Sequence, residues 1–111
     1  MDALSSRGAL EVERVVEDDE RCALFVLTGD IDETVAPRLL EQLMESARRS
    51  QVDLVIIDLI RVDYCGAAGV KCLEAAHRAA GRHGTELALT RPSQFVRRVL
   101  TISGLTHLLA E

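Results

Sequence analysis

The chain has 111 residues, a formal net charge of −5, 48% hydrophobic and 28% charged residues, which is the size and balance of one globular domain that needs no metal or disulfide scaffold to hold its core. Aromatics make up only 3% (Phe25, Tyr64 and Phe95) and the sequence pI is near 5.2, so neither stacking platforms nor a basic footprint is available for nucleic acid. No apolar run approaches the roughly 18 residues of a membrane span, and the polar stretch 1–13 does not read as a signal peptide, so a cytoplasmic chain with Cys22, Cys65 and Cys72 as reduced thiols is expected.

Residues 1–8 read as a flexible leader, and 9–111 as a single domain. From Leu10 the apolar positions Leu10, Val12, Val15 and Val16 nearly alternate, predicting a half-buried strand. The acidic stretch 17–20 is a turn, and the apolar run 22–27 a second, deeper strand. A short turn between two strands favours an antiparallel hairpin.

Residues 28–33 are predicted as a loop. A helix follows, with Ala36, Leu39, Leu40, Leu43, Met44 and Ala47 forming one apolar stripe at helical spacing. Thr34 is its expected N-cap, which puts Pro37 in the first turn. The run 52–59 is rich in β-branched residues and nearly all apolar, as a central strand covered on both faces would be. A loop then leads through Gly66, Ala67, Ala68 and Gly69 into a second helix, whose inner face holds Leu73, Ala76 and Ala80. Residues 86–90 form a short strand. Pro92 and Ser93 open a third helix with Val96, Val99 and Leu100 inward, closed by Gly104 at C′ with Leu105 against Leu100. The last residues, 106–111, are compatible with strand or helix.

The fold class is therefore α/β with a mixed sheet in the order β-β-α-β-α-β-α, four to five strands, and helices on one side. The opposite sheet face would then need cover from the C-terminal segment. Candidate chemistry is sparse. His77, His83 and His107 lack metal-ligand spacing, and HExxH, CxxC, GxSxG, GxxxxGK[ST] and GxGxxG are all absent. A protein without catalytic residues, cofactor or metal is expected.

Several segments carry a resemblance. Leu27-Thr28-Gly29-Asp30-Ile31-Asp32 before a Pro-containing helix resembles the LxGxLD opening of STAS domains, the anti-sigma factor antagonists and related transporter domains. Asp58-Leu59-x-x-Val62, followed by small residues and Gly69, resembles their DLxxVxxIDSSG segment. Gly84 to Leu89, then Val99-Leu100-x-x-x-Gly104-Leu105, resembles their tail. Together these cover about residues 10–109 in order.

The resemblance implies a curved mixed sheet and a binding role. The implied partner is an anti-sigma factor that is also a serine kinase of the histidine-kinase-like ATPase fold. It further implies a partner surface made of Asp30, Ile31, Asp32 and Thr34 with Gly66, Ala67, Ala68, Gly69 and Val70. In that alignment Ala67 stands at the family's phosphoacceptor serine and Gly66 at its aspartate. Phosphoryl transfer needs a hydroxyl, which neither Ala67 nor Ala68 has, so the usual switch, a dianion placed at a helix start, is not available there.

Bland readings stand beside these. Asp30 and Asp32 suit a helix N-terminus electrostatically as well as a partner. Gly66, Ala67, Ala68 and Gly69 suit a tight strand-to-helix turn as well as a flat docking spot. Asp58 is expected to brace the loop after it. Cys65 precedes a helix start that could lower its pKa, yet a buried small hydrophobe is the default for it and for Cys72. Two alternatives remain: an accessory STAS subunit of a lipid-type ABC transporter, and a thiol-switched variant using Cys65.

Overall fold

The computed structural model describes residues 10–16, 21–49 and 52–110. The expected leader 1–8 and the acidic turn 17–20 lie outside the described residues. The elements run β1 (Glu11–Val16), β2 (Cys22–Ile31), α1 (Ala36–Arg49), β3 (Leu54–Cys65), α2 (Ala67–Arg82), β4 (Glu86–Thr90), α3 (Gln94–Ile102) and a 3-10 turn (Thr106–Leu108). The four strands form one mixed sheet in the order β1-β2-β3-β4. β1 is antiparallel to β2, while β2, β3 and β4 are parallel. Both the hairpin and the strand–helix alternation match what the hydrophobic periodicity predicts.

The register sorts side chains onto two faces. Ala23, Phe25, Leu27 and Ile31 lie level with Val55, Ile57, Leu59 and Cys65, and with Leu87 and Leu89, and all are buried. Against this face pack Leu39 and Leu43 of α1 and Leu73, Ala76 and Ala80 of α2, in one continuous core. Leu24, Val26, Leu54, Ile56 and Ala88 alternate with the core positions and are only half-buried. The C-terminal segment therefore does not bury the second face. Instead, Val96 and Leu100 of α3 join the main core, and α3 packs on β3. The end of the chain lies along β4, through a parallel bridge between Leu89 and Leu109 and a bond from Ala110 N to Leu89 O at 2.8 Å.

α3 ends as its sequence demands. The Ser93 hydroxyl accepts the Val96 N–H at 3.1 Å as N-cap. Gly104 adopts φ +77°, Leu105 N bonds Leu100 O at 2.8 Å, and Gly104 N bonds Thr101 O at 3.1 Å. That is a complete Schellman closure. Residues 106–110, whose sequence is compatible with strand or helix, contain a piece of each: a 3-10 turn and a one-residue bridge.

Two strands are longer than expected. β2 runs through Ile31 and β3 through Cys65, so most of the two predicted loops is strand. The reason is mutual. Their C-terminal halves pair with one another, Thr28 with Arg61, Gly29 with Val62, Asp30 with Tyr64 and Ile31 with Cys65. Two register shifts absorb polar, irregular residues that hide the period from the sequence.

Candidate partner-binding site

The extended β2–β3 pairing brings the two implied partner segments together at one end of the sheet. Ile31 and Cys65 are register partners, and Gly66 N bonds Ile31 O at 3.1 Å. The start of α1 and the start of α2 therefore leave the sheet side by side.

Asp32, not Thr34, caps the first helical turn. Its Oδ1 accepts the N–H of Thr34 at 3.0 Å and of Val35 at 3.2 Å, and its carbonyl accepts Ala36 N–H at 3.0 Å. Residues 33–35 form a turn before α1 proper, so the cap lies earlier than the spacing suggests. Thr34 is exposed, Asp30 half-buried. Ile31 is fully buried, so it presents no side chain to a partner here.

At the other segment Gly66 is the N-cap of α2, with no side-chain cap bond. Ala67, the first residue of α2, is exposed; Ala68 and Val70 are half-buried and lean on the core. Gly69 is buried, contrary to a docking role for its backbone. A methyl group built on it would sit 2.7 Å from Ile31 O and 2.8 Å from both Ile31 Cγ2 and Cys65 Sγ. The close approach that requires a glycine is thus to this chain's own β2. Gly66 is not open ground either. A methyl group there would meet the Tyr64 ring, its hydroxyl oxygen at 2.8 Å, so Tyr64 lies across the helix start and the spot is not flat.

Two features of the site escape sequence reasoning. Asp58, as expected, braces the following residues by accepting the Ile60 N–H at 3.1 Å. It is also clasped by Arg91, whose Nε donates to Oδ1 at 3.2 Å and Nη2 to Oδ2 at 2.5 Å. The carboxylate is nearly buried while the guanidinium is mostly exposed. The Arg91 hydrogen bond, against the opposing pull of burial, holds the Asp58 carboxyl below its ordinary range. Arg91 adopts φ +54°, a left-handed backbone unusual for a non-glycine residue. Nothing in the sequence links positions 33 residues apart; only the β3–β4 pairing of Asp58 with Thr90 does. The second feature is a stacked aromatic pair, Tyr64 and Phe95, with ring centroids 6.0 Å apart and planes at 22°.

Cys65 and Cys72 are both buried, as expected of small apolar side chains. Cys65 is 1% exposed, and burial pushes its thiol up to about 11; burial, then the nearby Cys65 sulfur, pushes Cys72 up to about 11 as well. Desolvation disfavours the thiolate here, and no helix-start effect offsets it. Burial as small apolar side chains therefore describes Cys65 and Cys72 in this structure. Among the described residues no three His, Cys, Asp or Glu side chains converge as metal ligands, and no helix is long and apolar enough to cross a membrane.

The fold and this paired-segment end define a known class. The family model for the STAS domain matches residues 13–110, and the chain belongs to the STAS domain family. Its structure is similar to that of the anti-sigma factor antagonist SpoIIAA in its unphosphorylated form, at TM-score 0.77 and 20% identity over 92% of this chain and 86% of that one. It is similar to an anti-sigma factor antagonist from Mycobacterium paratuberculosis at TM-score 0.79 and 22% identity over 92% and 84%. The Bacillus SpoIIAA in its phosphorylated form matches at TM-score 0.69 and 20% identity over 92% and 89%. The four-stranded mixed sheet, the three helices and their order are thus those of the STAS fold.

Proposed function

We propose that this protein is an anti-sigma factor antagonist, a non-enzymatic module of the cytosol that binds an anti-sigma factor through the paired starts of α1 and α2, and that phosphorylation does not release it. The observation that carries the reading is Ala67. It is the first residue of α2, exposed, beside the Asp30–Thr34 segment. It stands where the family resemblance puts the phosphoacceptor serine.

SpoIIAA, to which the fold is similar, occurs in phosphorylated and unphosphorylated forms. In an antagonist regulated that way, a kinase partner releases itself by adding a dianion at the interface, which desolvation and charge repulsion then oppose. A methyl group at Ala67 accepts no phosphoryl group. Release would depend on competition, dissociation or degradation. The surface residues we assign to contact are Asp30, Asp32, Thr34, Gly66, Ala67, Ala68 and Val70; Ile31 and Gly69 act from beneath by fixing the two segments.

The test is titration of the purified anti-sigma factor from the same genome with the natural protein, Ala67→Ser and Ala67→Glu, with and without ATP. The natural protein should bind equally in both conditions. Ala67→Glu should bind at least tenfold more weakly, because its carboxylate is left partly desolvated in the interface. ATP-dependent release of the natural protein with phosphate on it, or unchanged binding of Ala67→Glu, would refute the reading.

A further inference from the structure

Of three aromatic residues in the whole chain, Phe25 is buried while Tyr64 and Phe95 are 45% and 48% exposed. The two exposed rings come from different elements and stack on one another. Isolated exposed apolar residues need no explanation, but an exposed stacked pair in a chain this poor in aromatics does. Ile60, 48% exposed, lies on the same stretch of β3. Tyr64 also lies across Gly66, so the pair borders the α2 start directly.

Asp30 is the register partner of Tyr64 on β2, and Asp63 precedes it in the bulged end of β3. Asp63 is exposed and Asp30 half-buried, and among the described residues neither carboxylate has a cationic partner. With Asp32 and Glu33 they make the α1–α2 end acidic. Arg61 lies three residues before Tyr64 on β3, where its charge acts on Asp58, and Arg98 one turn beyond Phe95 on α3. An aromatic face edged by free carboxylates is a receptor for a cation that stacks: a planar, weakly hydrated guanidinium meets both the ring quadrupole and the carboxylate fork better than an ammonium does.

We propose that Tyr64 and Phe95, edged by Asp30 and Asp63, form an anchor that receives an arginine side chain of the partner protein. This rests on the partner-binding reading of the α1–α2 end and names the chemistry the partner must bring to it. Interfaces concentrate their binding strength in a few aromatic and arginine contacts, and the small residues Gly66, Ala67 and Ala68 supply complementarity without such an anchor of their own.

The experiment has two arms. In the first, the 15N-labelled full chain is titrated with acetyl-Leu-Arg-Leu-amide and with the citrulline analogue, which keeps the shape and loses the charge. Shifts at Tyr64, Phe95, Asp30 and Asp63 with the arginine peptide alone are expected; equal shifts with both peptides, or none at these residues at millimolar peptide, overturn the proposal. In the second, the anti-sigma factor is titrated with Asp30→Asn and with the double variant Tyr64→Leu, Phe95→Leu, which keeps apolar area and loses the ring faces. Each should weaken binding about 3- to 30-fold, with melting curves confirming that the variants are folded. Unchanged binding of a folded double variant overturns the anchor and leaves the antagonist reading intact. Arginine-specific shifts at the rings together with no binding of the natural protein to the anti-sigma factor would keep the anchor and overturn the antagonist reading.

Discussion

Replacing Gly69 by alanine sets two effects against each other inside one helix. Glycine in a helix is disfavoured relative to alanine by about 1 kcal/mol, so propensity alone predicts stabilisation. The tertiary packing predicts the reverse, because the new methyl group would stand 2.7 Å from Ile31 O and 2.8 Å from Ile31 Cγ2 and Cys65 Sγ. A flexible side-chain tip could yield cheaply, but Ile31 O is backbone and is already pinned by the Gly66 N–H. The first turn of α2 must move away from β2, and overpacking of this kind costs about 1–3 kcal/mol. Set against the propensity gain, the net expectation is destabilisation by up to about 2 kcal/mol, each kcal/mol lowering the melting temperature by about 4–8 °C in a domain of roughly 100 residues. Gly81→Ala is the internal control. Gly81 lies in the same helix, exposed, with nothing within 4 Å of an added methyl group, so it should stabilise by about 0.5–1 kcal/mol. Calorimetry and urea unfolding of the two variants should move in opposite directions from the natural protein. If Gly69→Ala melts at or above the natural temperature, the close approach of α2 to β2 is not as described, and Gly69 returns to being a candidate for contact with the partner.

Other consequences are equally direct. Asp58 has a folded pKa below its unfolded one, so its contribution to stability is present above about pH 4 and disappears as pH falls through the depressed value; Arg91→Ala should lower the urea midpoint at pH 7 by leaving a nearly buried carboxylate half-partnered, and the difference from the natural protein should shrink as pH falls through that depressed value. Asp32→Ala should destabilise by about 1 kcal/mol through loss of its bonds to Thr34 and Val35, while Asp32→Asn keeps the cap and should stay within about 0.5 kcal/mol of the natural protein in thermal melts. With their thiols pushed up to about 11, Cys65 and Cys72 should resist iodoacetamide at pH 8 in the folded protein and react only on unfolding, with half-buried Cys22 labelled first in mass spectra; rapid labelling of Cys65 would contradict its burial.

Local physics was enough for much of this protein. The stripe from Ala36 to Met44 specified the inner face of α1, and Leu39 and Leu43 are buried as its period requires. Ser93, Gly104 and Leu105 specified both ends of α3, because cap chemistry acts within a few residues and can be read there. The ordered LxGxLD-like, DLxxV-like and C-terminal segments carried the family. What sequence could not supply depends on pairing between distant segments. The true lengths of β2 and β3 come from their mutual register across two bulges, where strand periodicity is broken. Thr34 reads as a cap from spacing, yet Asp32 takes the role because the end of β2 sets where the turn begins. Small residues at positions 66–69 look alike in sequence, and only packing separates exposed Ala67 from Gly69, held against Ile31. The same holds for Arg91 on Asp58 and Phe95 on Tyr64: each pair is some thirty residues apart in the chain and is joined by the path of β4 and α3 alongside β3. Hydrophobic period and caps are local quantities, whereas charge neutralisation and ring contact depend on which strands become neighbours, and only the tertiary fold decides that.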